Sequence, residues 1–283
     1  MITLTRPDGT QPTDLHLTRR AATGLFFAGY AVAALGADAK PIVTNADGLI
    51  IEEPFISNGA PHPLPAYVAR PAAAGKHPVI IVVNEVFGIH AYIKDICRRL
   101  AHLGYVAVAP AFFYRSGVDL AQIPLSDFAT KIMPVVAQAD DAQVDSDVRA
   151  TTNWVKAQPF AHAPKIGITG FCWGGAVAWR SCMVNPDIKA GVAWYGHVEK
   201  LIARAGELHA PVLGLYGALD KGISQESLNQ MRAAVVKAGK HAEIKVYPDA
   251  EHGFHADYRP SYNAADAADG WKRMLAHFKA HGV

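Results

Sequence analysis

The residues His77-Pro78-Val79-Ile80-Ile81-Val82-Val83-Asn84 constrain the fold more than any other stretch of this chain. A β-branched run with no polar interruption has no face to turn to water, so it reads as a strand covered on both sides. Such strands belong to parallel sheets, whose crossover helices lie on both faces. Residues 105–109, 165–169, 188–195, 212–216 and 242–247 read as further strands. Helical spacing predicts helices over 91–103, 135–157, 176–183 and 264–280, and one from the N-cap Ser224 to Gly239. Residues 49–56 and 66–69 read as an N-terminal hairpin, and the aromatic-rich stretch 111–134 as an irregular insertion over the sheet edge. The expected fold is α/β, a mostly parallel twisted sheet with helices on both faces.

The start of the chain reads differently. Thr18-Arg19-Arg20 precedes a charge-free run, residues 21–35, and then Ala37-Asp38-Ala39. A basic segment, an apolar run of about 15 residues and a small-residue cleavage site make an export signal. Paired arginines before a Gly/Ala-rich run are similar to a bacterial twin-arginine (Tat) signal, although Ala21-Ala22 stand where such signals usually carry Phe or Leu. The expectation is a signal over 1–39, read by the Tat export machinery, and one domain over 40–283 in the periplasm or outside the cell. A packed N-terminal helix of a cytoplasmic protein is the alternative. The apolar run is shorter than the ~20 residues that span a bilayer, so no stable membrane insertion is expected after processing. With 51% hydrophobic and 18% charged residues the chain can bury a large core. Net charge is +2 and no block of five Lys or Arg occurs, so nothing points to nucleic acid. Three cysteines without a CxxC pair argue against a disulfide framework or a zinc site.

Gly170-Phe171-Cys172-Trp173-Gly174-Gly175 sits between an expected strand and an expected helix. This is a nucleophile elbow, G-x-S-x-G, with cysteine in place of serine. The reactive residue stands on a strained strand-to-helix turn, and neighbours without side chains let strand and helix approach. The N–H of Trp173 points to where an oxyanion would develop, and a helix N-terminus supports a thiolate. An elbow needs an orienting acid and then a base further along the chain. Asp220 follows strand 212–216, and His252 follows strand 242–247. Asp249 and His255 compete for these parts. Glu85 ends the buried strand, where a carboxylate must be paired or protonated; it can accept a thiol hydrogen bond or meet a loop arginine. Cys97 and Cys182 read as packing thiols. Trp173, Trp179, Trp194 and Tyr195 could line a pocket or the core.

Asn84 to Gly88, Pro110 to Arg115, Gly170 to Gly175, Gly217 to Asp220 and Glu251 to Phe254 together resemble the dienelactone hydrolase (carboxymethylenebutenolidase) family of the α/β-hydrolase fold. The resemblance spans roughly residues 48–280. It implies a Cys172–His252–Asp220 triad and a Glu85 that holds the resting thiol. It also implies an oxyanion hole from the N–H groups of Val86 and Trp173, and an Arg115 that grips a substrate carboxylate. The family's second carboxylate-binding arginine lies four residues after the histidine, where this chain has Ala256 and only Arg259 is near. The expected activity is hydrolysis of a small-molecule lactone or ester through a thioester acyl-enzyme, with no metal or organic cofactor. A broader esterase or thioesterase, or a non-catalytic exported binding protein, are the alternatives.

Overall fold

The run around residue 80 does become the centre of a sheet. A computed structural model describes residues 41–283; the expected signal, 1–39, lies outside the described residues. Strands β1 (Leu49–Glu52), β2 (Phe55–Ile56) and β3 (Leu64–Pro71) lead to β4 (His77–Val83), α1 (Ala91–His102) and β5 (Val106–Pro110). Then come α2 (Met133–Val136), α3 (Asp141–Lys156), β6 (Ala161–Phe171), α4 (Trp173–Val184) and β7 (Ile188–Trp194). β8 (Val212–Gly217), α5 (Gln225–Lys237), β9 (Ala242–Tyr247) and α6 (Ala264–Ala280) complete the order. In space the strands run β1-β3-β5-β4-β6-β7-β8-β9, with β2 beside β3. Pairings from β5 through β4 to β9 are parallel, and β3 is antiparallel to β1, β2 and β5.

Val79 to Val83 are wholly buried, and each such side chain contributes about 1.5–3 kcal/mol by leaving water. Helices cover both faces. The side of β6 at Gly167 meets Phe278 of α6, and the side of β7 at Gly191 meets Cys182 of α4. Gly167 pairs with Ala190, so Gly191 points to the other face.

Two stretches depart from expectation. The helix expected over 135–157 is broken, because Asp140 turns extended and its side chain accepts the Gln143 N–H at 2.8 Å, starting α3 afresh. The insertion 111–134 folds into 3₁₀ turns and a π-turn, Phe128–Ile132, that runs into α2. It has a small core of its own, in which Phe113, Leu120, Ile132 and Val136 gather with Val86 and Phe87, and Trp173 packs against it. The insertion therefore sits as a cover beside the start of α4.

Candidate active site

β6 ends at Phe171 and α4 begins at Trp173, so Cys172 alone makes the turn. Its backbone stands at φ 55°, ψ −116°, a conformation that costs of order 1–3 kcal/mol for a residue with a side chain. The surroundings enforce it. The Cys172 N–H donates to the Trp194 carbonyl at 3.0 Å, and the Cys172 carbonyl accepts the Gly175 N–H at 2.9 Å. A Cβ at Gly170 would lie 2.0 Å from the Gly174 oxygen, and one at Gly174 would lie 2.5 Å from the Val83 oxygen. Strand, elbow and helix close up only because these two positions are bare. Trp173 is the first residue of α4, where intrahelical bonding leaves the N–H unused.

The loops after β8 and β9 bring in Asp220 and His252. His252 Nδ1 lies 2.7 Å from Asp220 Oδ2, and Asp220 Oδ1 accepts the Gly222 N–H at 2.8 Å. Cys172 and His252 line the same cavity, and the imidazole feels the Cys172 side chain. Burial alone would lower the pKa of His252, but the hydrogen bond to Asp220 and the influence of Cys172 outweigh it and push it up to about 10. Burial would raise Asp220, yet His252 holds its carboxyl below the ordinary range. Ser261 ties the loop by donating to the His252 carbonyl at 2.8 Å. The competitors fall away: Asp249 is exposed, and His255 is buried in the core with Nδ1 2.6 Å from the Tyr92 hydroxyl.

Glu85 differs from what the family resemblance implies. Its carboxylate is wholly buried and faces a cation instead of the thiol. Arg259 Nη2 lies 2.9 Å from Oε1, while Tyr258 donates to Oε2 and His90 Nε2 stands 3.5 Å away. Burial would raise this carboxyl, but chiefly the Arg259 charge, with His90 and Tyr258, brings it down to about 2. A charge without water needs a counter-charge more than it needs a weak S–H donor. Tyr258 and His90 had no sequence signal, because Tyr258 reaches Glu85 across 173 residues.

A cavity of about 860 Å³ opens over the elbow at the carboxyl ends of the strands and is lined by Cys172, Asp220, His252, Val86 and Trp173 among others. The structure does not bring the two arginines there. Arg115 holds Asp147 in two parallel hydrogen bonds of 2.6 and 2.8 Å and lies over the Tyr114 ring. Asp147 is fully buried and claims that guanidinium. Arg259 is engaged by Glu85 and stacks over Phe87. The cations that do line the cavity are Arg180, Lys200 and Lys221, which the sequence reading passed over for want of a motif. Trp179 and Trp194 belong to the core, hydrogen-bonded to Tyr216 and Thr169, and Tyr195 sets its ring edge against His252 at 5.1 Å. Cys97 and Cys182 are buried thiols, as expected, and burial pushes both pKa values up.

The profile of the Dienelactone hydrolase family matches residues 64–282. The chain belongs to that family. A "Putative carboxymethylenebutenolidase" of Methylorubrum extorquens is 44% identical over 280 residues, 94% of each chain. A protein of the same description from Escherichia coli K12 is 47% identical over 77% of this chain and 83% of its own length. Among solved structures, a "Putative Dienelactone Hydrolase" from Klebsiella pneumoniae superposes with a TM-score of 0.75 at 42% identity, covering 82% of this chain and 98% of that one. The fold is thus the α/β-hydrolase fold of the dienelactone hydrolases, and the protein is a hydrolase of that family.

Proposed function

We propose that this family member cleaves small lactones or esters with Cys172 as nucleophile, through a thioester acyl-enzyme. The observation that carries the reading is the Asp220–His252 pair beside Cys172, all three lining one open cavity, with the cysteine on a strained elbow. The thiolate attacks the carbonyl carbon, and the N–H groups of Trp173 and Val86 receive the developing oxyanion. His252, held in one tautomer by Asp220, protonates the leaving oxygen and then takes a proton from the water that hydrolyses the thioester. Trapping tests this: brief incubation with p-nitrophenyl acetate should leave one acetyl group on the peptide that contains Cys172. An unlabelled Cys172 during full turnover would sink the mechanism.

A second reading, a broader esterase or thioesterase, is favoured by one observation: Arg115 and Arg259 are both committed to protein carboxylates. Comparing kcat/KM on acidic lactones and on neutral aryl esters separates the two. We propose also that residues 1–39 are a twin-arginine export signal and that the domain works outside the cytoplasm. Replacing Arg19 and Arg20 by Lys should then leave an uncleaved precursor inside the cell.

A further inference from the structure

The cavity has a direction. Trp173, Ala176, Val177 and Arg180 line it, and their spacing marks one face of a helix. That helix is α4, which carries Cys172 at its N-terminal end. From Cys172 to Arg180 the axis rises ~12 Å at ~1.5 Å per residue. The cavity thus extends along α4 from the sulfur, over a floor of two short apolar side chains. Other apolar side chains line it too: Phe128, Met133 and Val136 come from the cover, and Leu201 and Leu219 from the segments after β7 and β8.

Two features of this space fit an elongated ligand. Met133 is 38% exposed and Leu219 52% exposed, although most large apolar side chains of the domain are buried. Apolar side chains that rim a hollow mark a surface covered when a ligand binds. The volume, about 860 Å³, stands near the top of the ~300–1,000 Å³ that buries a drug-sized molecule. A small lactone would leave most of it filled with water. Charged side chains line it as well, among them Glu199, Lys200, Lys221 and Glu251, and Arg180, two turns beyond Cys172, is fixed by Asp141 and Asp145 at 2.6 Å each.

We propose that the substrate is an ester or thioester with an unbranched apolar chain of about eight carbons, laid along α4 from Cys172 toward Arg180. Such a chain, with C–C bonds of about 1.5 Å, reaches ~9 Å when extended. The proposal rests on the cysteine-hydrolase reading above and specifies its substrate.

The experiment is a chain-length profile of kcat/KM on the full protein. One series is p-nitrophenyl esters with acyl chains of two to twelve carbons; the other is S-alkyl thioacetates of the same lengths. In at least one series kcat/KM should rise about three- to fourfold per methylene, the worth of one buried CH₂, and level off near eight carbons. Ala176→Leu places a larger side chain on the floor one turn beyond Cys172. It should cut the eight-carbon to two-carbon ratio at least tenfold. Met133→Asp, at the exposed rim, should lower the same ratio and serves if the first variant folds poorly. Short esters turned over with a flat or falling profile in both series would overturn the chain proposal and leave the hydrolase reading intact. No turnover at any length, with no acyl label on Cys172, would overturn both.

Discussion

His252 and His255 stand three residues apart on one loop, and the protein makes them opposites. His252 faces the cavity, with a carboxylate on one side and a cysteine on the other, and its pKa is raised to about 10. His255 turns inward, its ring 4.4 Å from that of Trp194 and stacked on Trp271. Burial there, with the charge of Arg99, pushes its pKa down to about 3. One imidazole is kept charged by its partners, and the other is kept neutral by an aromatic box. What each residue can do follows from the groups it meets, which its residue type does not disclose.

The strongest way to break this contrast is to remove the cysteine. Cys172→Ala should cost about 10⁴-fold or more in hydrolysis of p-nitrophenyl acetate, with circular dichroism unchanged. The pKa of His252, read by NMR, should also fall, because the influence of Cys172 is gone; an unmoved value would mean that Asp220 alone sets it.

Next in size is the pair of histidine variants. His252→Ala should lower kcat/KM by ~10²–10⁴-fold, the usual worth of a general acid–base group. His255→Ala should leave activity within a few-fold and destabilise by about 2–4 kcal/mol, through the cavity opened among the rings. Equal activity losses would erase the distinction between the two residues.

The pH dependence of Tm sharpens it further, because the two slopes have opposite signs. The folded pKa of His252 lies above the ordinary 6.5, so its stabilisation is full below pH 6.5 and is lost as pH rises through about 10. That of His255 lies below 6.5, so its contribution is full above pH 6.5 and is lost as pH falls toward 3. His252→Gln should flatten the alkaline limb and His255→Phe should lessen the slope of the acid limb. The reverse pattern would exchange the assignments.

The smallest effect carries the contrast over to an arginine. Arg115→Lys gives up the two parallel hydrogen bonds to buried Asp147 and should cost about 1–2 kcal/mol of stability. Relative kcat/KM on acidic and neutral esters should not change. A loss confined to acidic esters would bring Arg115 back to the substrate.

The unbroken aliphatic strand, the alternation of elements and the bare glycines around Cys172 carry their reasons locally, and the structure repeats them. Ser224 likewise caps α5 as its type and place suggest, accepting the Ser227 N–H at 3.0 Å. The break at Asp140 was harder to see, since the flanking residues keep helical spacing and only the cap geometry separates α2 from α3. Glu85 shows another limit. Its isolation at a strand end was visible and its need for a partner followed, but the choice between a thiol and an arginine was not.

Sequence by itself determined which residues could form the elbow, in what order acid and base follow it, and that a doubly covered sheet must hold them at its strand ends. These are properties of neighbours in the chain, where period, turn chemistry and the lack of a Cβ act within a few residues. Only the tertiary structure decided which histidine faces the cavity, which carboxylate claims each arginine, and that the cavity runs along α4. Those outcomes depend on groups far apart in the chain, such as Asp220 with His252, Arg115 with Asp147 and Glu85 with Arg259. Once water is excluded, a buried charge takes whichever partner packing sets within about 3 Å, and no local pattern records that choice.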